Sequence, residues 1–204
     1  MRPPEDPGAA SLPNPIPVST AEGTPREPAD EDLMALYAAG DADAFDTLYE
    51  RFRGPLFRYL LRHCESDGAA EELFQETWLR VVRARQGWRP QAAFAPWLFR
   101  IARNLLADHW RQRPPASEPI DESVVDLSFP WPEAWTLLRD CVERLLKLLS
   151  GLAREQRDAF LLRTEGGLTL EQIAEVTGTG RETVKSRLRY ALRRLRAGLE
   201  DCDE

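Results

Sequence analysis

The residues best suited to binding a charged partner lie near the end of the chain, in the segment RETVKSRLRYALRRLR. This segment, 181–196, contains seven Arg or Lys and one acid, Glu182. The whole chain of 204 residues is acidic, with 34 Asp and Glu against 27 Lys and Arg. Arg and Lys neutralise phosphates, and their N–H groups also donate to base edges in the major groove of DNA. The local concentration of positive charge therefore predicts a helix that binds nucleic acid.

Two helices joined by a glycine turn are expected to position these Arg and Lys side chains. Thr169 and Gln172 have the spacing of a capping box, which predicts a helix start. Gly178 permits the left-handed conformation that ends a helix, and a second helix then begins near Thr179 or Gly180. Two helices with a short turn are typical of a helix-turn-helix. The predicted apolar faces contain Leu170, Ile173 and Ala174 in the first helix, and Val184, Leu188, Ala191 or Leu192, and Leu195 in the second.

Side chains near the start of the second helix are the candidates for contact with base edges. The basic residues further along the helix are expected to contact phosphates or only solvent. They are Arg193, Arg194 and Arg196. The alternative is a solvated amphipathic helix that binds nothing, and the preceding capped helix and glycine turn argue against it. The candidates for base contact are Arg181, Thr183, Lys185, Ser186, Arg189 and Tyr190.

A second mixture of bases and aromatics lies in FAPWLFRIARNLLADHW, residues 94–110. Aromatic rings can stack on unpaired nucleotides while Arg neutralises their backbone. The alternative is that Trp97, Ile101 and Leu105 form the core stripe of a helix, and we favour it for these three residues. For Arg100 and Asn104 we favour a functional role.

The segment EELFQETWLRVV, residues 71–82, precedes this helix and is acidic at its start. It offers Leu73 and Phe74 for packing, with Gln75 and Glu76 on a different face. This pattern predicts a docking surface for a basic protein partner. The alternative interpretation is a solvated helix.

Apolar residues recur at three- and four-residue steps from Asp30 to the end of the segment 94–110, and again from Trp135 to Leu199, which indicates helices. No alternating stretch indicates strands. Residues 1–29 carry eight of the sixteen prolines and predict a disordered tail. Residues 114–133 carry five prolines, five acids and no base, which predicts a linker. The expected fold is all-α, with helical domains at 30–113 and 134–199, an extended acidic linker at 114–133 and an acidic end at 200–204.

Several functional classes are not indicated by the sequence. No apolar run reaches the roughly 20 residues that cross a bilayer, and the first residues do not resemble a signal peptide. The widely spaced Cys64, Cys141 and Cys202 suit a reducing cytoplasm rather than a disulfide framework. His63 and Cys64 have no second pair at metal-ligand spacing. No cofactor motif or set of nucleophile and base is visible, so we expect a cytoplasmic protein that is not an enzyme.

Three segments in this order resemble bacterial RNA polymerase sigma factors of the compact extracytoplasmic-function (ECF) group. They are AEELFQETWLRVVRAR, FAPWLFRIARNLLADHWR, and LTLEQIAEVTG followed by TVKSRLRYALRRLR. The resemblance covers about Asp30 to Leu199. It implies a dissociable subunit of sigma domains 2 and 4, with core RNA polymerase and promoter DNA as partners. It also implies that an anti-sigma factor can hold such a protein inactive.

The resemblance assigns roles to particular positions. The segment ELFQE corresponds to the part that binds the clamp coiled coil of the polymerase β′ subunit, and the β subunit is a further implied partner. The linker corresponds to a segment that threads towards the polymerase active centre and the RNA exit path. WLFRIARN corresponds to the part that opens the −10 element, with one base flipped into a pocket formed partly by the loop 87–93. The basic helix corresponds to the reader of the −35 element. The implied residues are Glu72, Leu73, Phe74, Gln75 and Glu76 for polymerase, and Trp97, Arg100, Arg103 and Asn104 for the −10 element.

The start of the basic helix departs from the family pattern. Where family members often have a small polar cap and Glu-Gly before TVKSR, this chain has Gly180-Arg181-Glu182. The added Arg181 beside the groove is expected to alter the −35 preference. Two other functions fit parts of the chain: a stand-alone helix-turn-helix transcriptional regulator, and an inhibitor that occupies polymerase without reading promoters. Neither explains all three segments.

Overall fold

The computed structural model describes residues 27–89, 93–112 and 136–200. Within these ranges the secondary structure is helical, which confirms the all-α prediction. The predicted linker 114–133, nearly all of the predicted tail, and residues 201–204 lie outside the described residues, so the domain limits stay predictions. The α-helices are α1 (Asp30–Ala38), α2 (Ala42–Leu61), α3 (Asp67–Ala84), α4 (Phe94–Gln112), α5 (Thr136–Ser150), α6 (Arg154–Thr164), α7 (Leu170–Thr177) and α8 (Arg181–Leu199), with a 3-10 turn at Arg85–Gly87.

Helices α1 to α4 form the first module. Asp41 caps α2 by accepting hydrogen bonds from the backbone N–H groups of Asp43 and Ala44, and Ser66 caps α3 through Ala69. Such caps satisfy donors that the first helical turn leaves unpaired. The helices pack through fully buried side chains at helical spacing, which are Leu48, Leu56 and Leu60 in α2 and Leu98, Ala102 and Leu106 in α4.

Helices α5 to α8 form the second module, in which α5, α6 and α7 all pack against α8. Leu149 and Leu152 meet Ala191 and Leu195 in one buried cluster. Ile173 of α7 is fully buried with Val184 of α8, which fixes the two helices of the predicted helix-turn-helix against each other. The helix packing therefore supports α8 along its whole length while leaving one of its faces to solvent.

The two modules contact each other, which the sequence did not predict. Helix α4 of the first module packs against α7 of the second, and one continuous buried cluster includes residues of both. Phe99 of α4 is fully buried, and a Cβ atom placed on Gly166 would lie 3.3 Å from its ring. The missing side chain of Gly166 thus allows the α6–α7 connection to approach α4 closely.

Cys64 is buried just beyond the end of α2. Cys202 lies outside the described residues, so the expectation of reduced cysteines stays a prediction. Among the described residues, no helix has the length and apolar character needed to span a membrane.

Candidate nucleic-acid interface

The turn between α7 and α8 has the predicted geometry. The Thr169 hydroxyl accepts a hydrogen bond from the Gln172 backbone N–H at 3.2 Å, and the Gln172 side-chain oxygen accepts from the Thr169 backbone N–H at 2.8 Å. This reciprocal pair is the capping box. Gly178 has φ +67°, and α8 begins at Arg181 after an extended Gly180. The predicted helix-turn-helix is therefore confirmed in its local structure.

Helix α8 has a buried stripe and an exposed basic face. The choice left open between Ala191 and Leu192 is resolved by burial, because Ala191 is fully buried and Leu192 is 41% exposed. The remaining buried positions are Val184, Leu188 and Leu195. The candidates for base contact lie on the other side: Arg181, Thr183, Lys185, Arg189 and Tyr190 are exposed, and Ser186 is half-buried.

The exposed basic side chains at the start of α8 have acidic neighbours within the second module. Arg181 donates to the carboxylates of Glu171 in α7 and of Glu182, and Lys185 lies 3.6 Å from Glu182. The hydrogen bond from Arg181 lowers the pKa of Glu171, and the same bond raises the pKa of Arg181. The family comparison from sequence flagged Arg181 but missed Glu171, its partner on the neighbouring helix.

An aromatic side chain interrupts the bases further along α8. The guanidinium groups of Arg189 and Arg193 lie 5.5 and 4.9 Å from the centroid of the Tyr190 ring. Such cation–π contacts attract a guanidinium to the ring by about 0.5–1 kcal/mol at exposed sites. The exposed face of α8 therefore presents positively charged hydrogen-bond donors, two of which pack against Tyr190.

In α4 the buried side is formed mainly by residues other than the expected stripe. Leu98, Phe99, Ala102 and Leu106 are fully buried and Leu105 nearly so, while Trp97 and Ile101 are only half-buried. The core interpretation therefore holds fully for Leu105 and partly for the other two. The Trp97 ring packs edge-on against Trp88, with 5.1 Å between centroids. Trp88 belongs to the loop 87–93, of which residues 90–92 lie outside the described residues.

The polar residues predicted to act on α4 are in part occupied by the second module. Arg100 donates from Nη2 to Oε1 of Glu175 in α7 at 2.7 Å, whereas Asn104 is exposed. Arg103 donates from Nε to Oδ2 of Asp158 in α6 at 2.8 Å. Sequence reasoning missed both acids, since their relation to α4 depends on how the modules pack.

Asp158 is the centre of a buried polar cluster between the modules. Its side chain is 8% exposed, and its Oδ1 accepts a hydrogen bond from the Tyr59 hydroxyl at 2.8 Å. Burial and the carboxylate of Asp158 raise the pKa of Tyr59 well above its usual value. His63 Nε2 lies 3.7 Å from Oδ1, but burial and the charges of Arg157, Arg154 and Arg103 hold the His63 pKa well below 6.5. His63 is therefore neutral at pH 7.

The predicted docking surface on α3 is only partly formed by the residues chosen from sequence. Leu73 is buried in the core, and Phe74 is half-buried against Phe57 and Trp78. Both therefore support the surface from beneath. Glu72 and Gln75 are exposed, and Glu76, which is half-buried, accepts a hydrogen bond from Arg80 at 3.0 Å.

Two apolar residues complete the exposed face of α3. Leu79 is 48% exposed and Val82 is 36% exposed. They follow Glu72 and Gln75 at helical spacing, so acidic, polar and apolar side chains share one face. Sequence reasoning missed Leu79 and Val82. Their helical spacing from Glu72 and Gln75 was the signal that could have placed them on the exposed face.

Both modules match models of known protein families. The family model of Sigma-70 region 2 matches residues 48–114, and that of Sigma-70, region 4 matches residues 148–197. Among the curated relatives, the ECF RNA polymerase sigma factor BldN of Streptomyces coelicolor is 32% identical over 176 residues, which are 83% of this chain and 66% of BldN. The RNA polymerase sigma-H factor of Pseudomonas aeruginosa is 29% identical and covers 78% of this chain and 88% of its own.

Solved structures agree in fold. CnrH, solved in complex with the cytosolic domain of CnrY, is 24% identical with a TM-score of 0.63 and covers 87% of this chain and all of its own. RpoE of Bartonella quintana, solved with the anti-sigma factor NepR, is 22% identical with a TM-score of 0.59 and covers 76% of this chain and 96% of its own. The fold and both modules are therefore those of a sigma-70 family protein. Within that family, the chain belongs to the ECF group of RNA polymerase sigma factors.

Proposed function

We propose that this protein is an ECF sigma factor that binds core RNA polymerase and directs it to promoters, where it supports melting of the −10 element and initiation of transcription. The observation that carries the proposal is the order of the two matched regions, 2 and then 4, together with the exposed basic face of α8. The chemistry of RNA synthesis belongs to the polymerase. We accordingly expect no enzymatic activity of this chain alone, no cofactor, and a location in the cytoplasm.

Helix α8 is suited to read the −35 element as duplex DNA. A helix fits the major groove, and the side chains at its N-terminal end reach the base edges. Arg181, Lys185 and Arg189 lie four residues apart on the exposed face and supply donors there. Leu188, in contrast, is turned into the module and supports the helix.

Helix α4 is suited to hold the −10 element as a single strand. Arg100 and Arg103 supply charge for the backbone, and Asn104 supplies an amide that can donate to a base and accept from it. Trp97 packs edge-on against Trp88 of the loop 87–93, where the resemblance expects a flipped base. Extruding a base exposes its Watson–Crick edge at an unstacking cost of a few kcal/mol.

Helix α3 is the proposed polymerase-binding element. Glu72, Gln75, Leu79 and Val82 provide acidic, polar and apolar contact area on one helical face. Exposed apolar residues bordered by polar ones are typical of protein interfaces. We also expect an anti-sigma factor to be able to bind this protein, an expectation that rests on the family resemblance.

Run-off transcription tests the proposal. Core RNA polymerase is incubated with a pool of promoter fragments, alone and with this protein. Transcripts that need both components support the proposal, and their start sites define the −35 and −10 sequences. Binding of duplex DNA without polymerase, with no transcript, would contradict it and favour a stand-alone helix-turn-helix regulator. Binding to polymerase with no change in promoter choice would favour an inhibitor.

A further inference from the structure

Helix α1 contacts both chain segments that carry the tryptophan pair, Trp88 and Trp97. It packs against the 3-10 turn Arg85–Gly87, which directly precedes Trp88, and against α4, whose first turn holds Trp97. The proposed function expects an unpaired base of the −10 element beside this pair. It assigns α1 no contact with DNA or polymerase, yet α1 joins the two sides of the pair.

The start of α4 takes its cap from α1 instead of from its own chain. Oε1 of Glu31 accepts a hydrogen bond from the Phe94 backbone N–H at 3.0 Å. The residue before α4 is Ala93, whose methyl side chain has no acceptor, and Pro96 in the first turn has no N–H to satisfy. The first N–H groups of a helix favour a carboxylate, because they lack partners within the helix and the helix dipole is positive there. Glu31 therefore fixes the first turn of α4 from a neighbouring helix.

The other side of the tryptophan pair is held by a different contact with α1. The guanidinium of Arg85 in the 3-10 turn lies 5.3 Å from the ring centroid of Tyr37, which is buried in α1. This cation–π contact attracts the turn towards α1. Among the described residues, the buried Nε1 of Trp88 makes no hydrogen bond. The Trp88 ring packs against the rings of Phe94 and Trp97, so its orientation depends on where both segments are held.

Helix α1 is itself anchored at its start by α2. Arg51 of α2 donates to the Pro28 carbonyl at 3.2 Å. The same guanidinium donates to the carboxylates of Asp30 and Glu27. Glu31 follows Asp30 directly, so these contacts hold the Glu31 carboxylate in a defined position relative to α4.

We propose that Glu31 is a positioning residue for recognition of the −10 element. By holding the first turn of α4, its carboxylate sets the position of Trp97 relative to Trp88, and thereby determines how strongly the protein prefers one unpaired base over the others. Tyr37 acts on the Trp88 side through Arg85. Glu31 acts through α4 and not by contact with DNA, because a site selects its ligand best when its geometry is fixed in advance. The proposal rests on the proposed function of this part of α4.

Transcription by the holoenzyme from a promoter library randomised at the −10 element tests the proposal. Glu31→Ala removes the cap, and the preference for the best base over the next best should fall by about 2- to 30-fold, the range expected for loss of one cap. Glu31→Gln keeps an oxygen that accepts the Phe94 N–H and should restore most of the preference. The matched control is Asp32→Ala, which removes the next acid in the first turn of α1, an exposed one. It should change the preference by less than about twofold.

A second pair of variants tests the Trp88 side and leaves the cap in place. Arg85→Gln removes the cation–π contact with Tyr37, and Arg83→Gln, at an exposed position near the end of α3, is the matched control. If Arg85 only contacted a phosphate, its loss would weaken all −10 sequences equally. Positioning predicts instead a fall of about 2- to 5-fold in base preference, which corresponds to one exposed cation–π contact.

Amide hydrogen exchange at Phe94 measures the cap without polymerase or DNA. Exchange should be faster in Glu31→Ala than in wild type, and unchanged in Asp32→Ala. Retained helical circular dichroism and a cooperative melt identify the folded variants.

The outcomes separate this proposal from the function on which it rests. An unchanged base preference in folded Glu31→Ala, or in Arg85→Gln where Glu31→Ala does not fold, would overturn the proposal. A loss that is equal for all bases and follows the melting temperature would also overturn it, because it would show a structural role alone. If the wild-type protein gives no transcripts with core polymerase, the proposed function falls, and faster exchange at Phe94 then leaves the cap as a structural feature only.

Discussion

Helices α8 and α4 both carry basic side chains at short spacing, but the residues around those side chains differ. On α8 the side chains of Arg181 and Lys185 are 52% and 62% exposed, and their acidic neighbours belong to the same module. On α4 the side chains of Arg100 and Arg103 are 42% and 29% exposed, and their acidic partners belong to the other module. The accessibility of α8 is therefore independent of how the modules are arranged, whereas that of α4 depends on it.

This difference suggests an order of events at a promoter. Helix α8 can enter the major groove without any rearrangement between the modules. If α4 holds unpaired nucleotides as proposed, Arg100 and Arg103 must exchange Glu175 and Asp158 for the phosphates of the strand.

The first prediction concerns the surface of α4 that packs against the second module. Phe99→Ala removes a fully buried ring that packs on Tyr59 at 5.3 Å between centroids and on Gly166 of the other module. We expect a loss of about 3–5 kcal/mol in the free energy of unfolding, because the cavity opens in a region where both modules meet. Leu192→Ala, on the open helix and 41% exposed, is the control and is expected to cost about 0.5 kcal/mol or less. Urea unfolding measures both, and equal losses would contradict the contrast.

The second prediction concerns the open side. Lys185→Ala and Arg189→Ala should each weaken promoter recognition by about 1–3 kcal/mol, or roughly 5- to 150-fold in transcription, if each contacts a base edge. Arg194→Ala is the control, because this side chain reaches towards Gly151 at the end of α5. It should change transcription less than about twofold.

The same two variants also test whether α8 and α4 act independently. Their losses should be unchanged when they are combined with Asp158→Asn, because Asp158 faces α4 rather than the exposed face of α8 and distant sites are additive. Run-off transcription with each single and combined variant provides the measurement. A loss at Lys185 that disappears in the Asp158→Asn background would show that the two surfaces are coupled.

The third prediction is a dependence on pH. His63 is buried between Tyr59 and Trp110 of its own module and faces Asp158, Arg157, Arg154 and Arg103, and burial together with the three Arg charges lowers its pKa well below 6.5. The separated or unfolded chain therefore binds a proton more readily than the folded chain in which the modules pack together. Stability is present in full above about pH 6.5 and falls as the pH decreases below it, with a slope of at most about 1.4 kcal/mol per pH unit for one proton.

Urea unfolding between pH 5 and 8 measures this slope. His63→Gln should remove most of the pH dependence in the lower half of that range while the acids titrate as before. Small-angle scattering on the same samples shows whether acid first separates the modules. A pH dependence identical in wild type and His63→Gln would contradict the assignment to His63.

The sequence predicted the local features of α7 and α8 well because those features are local. Thr169 caps a backbone N–H three residues away, and Gly178 adopts the left-handed conformation that was predicted for it. The buried face of α8 followed from spacing along one helix. Such features depend on short-range geometry, and the alternatives were few enough for the pattern to decide.

The covered face of α4 was not predictable in the same way. Arg103 and Asp158 are 55 residues apart, and their contact depends on the packing of two modules whose connection carries no pairing signal. The same limit applies to Leu73, which a motif assigned to a partner and the fold buries. A motif identifies a functional segment, whereas the tertiary packing decides which of its side chains remain available.

The smallest expected effect lies within the open side and tests whether its own acids matter. Glu171→Gln removes the charge that holds Arg181, and both side chains are largely solvent-exposed, so total transcription should change by less than about fivefold. Base preference at the edge of the −35 element nearest Arg181 should nevertheless shift, because the freed guanidinium can reach other acceptors. Transcription from a library randomised at the −35 element measures this, with Glu155→Gln, an exposed acid on α6, as the control. If Arg181→Ala shifts the preference and Glu171→Gln does not, Glu171 has no part in positioning Arg181, and the open helix reads DNA without help from α7.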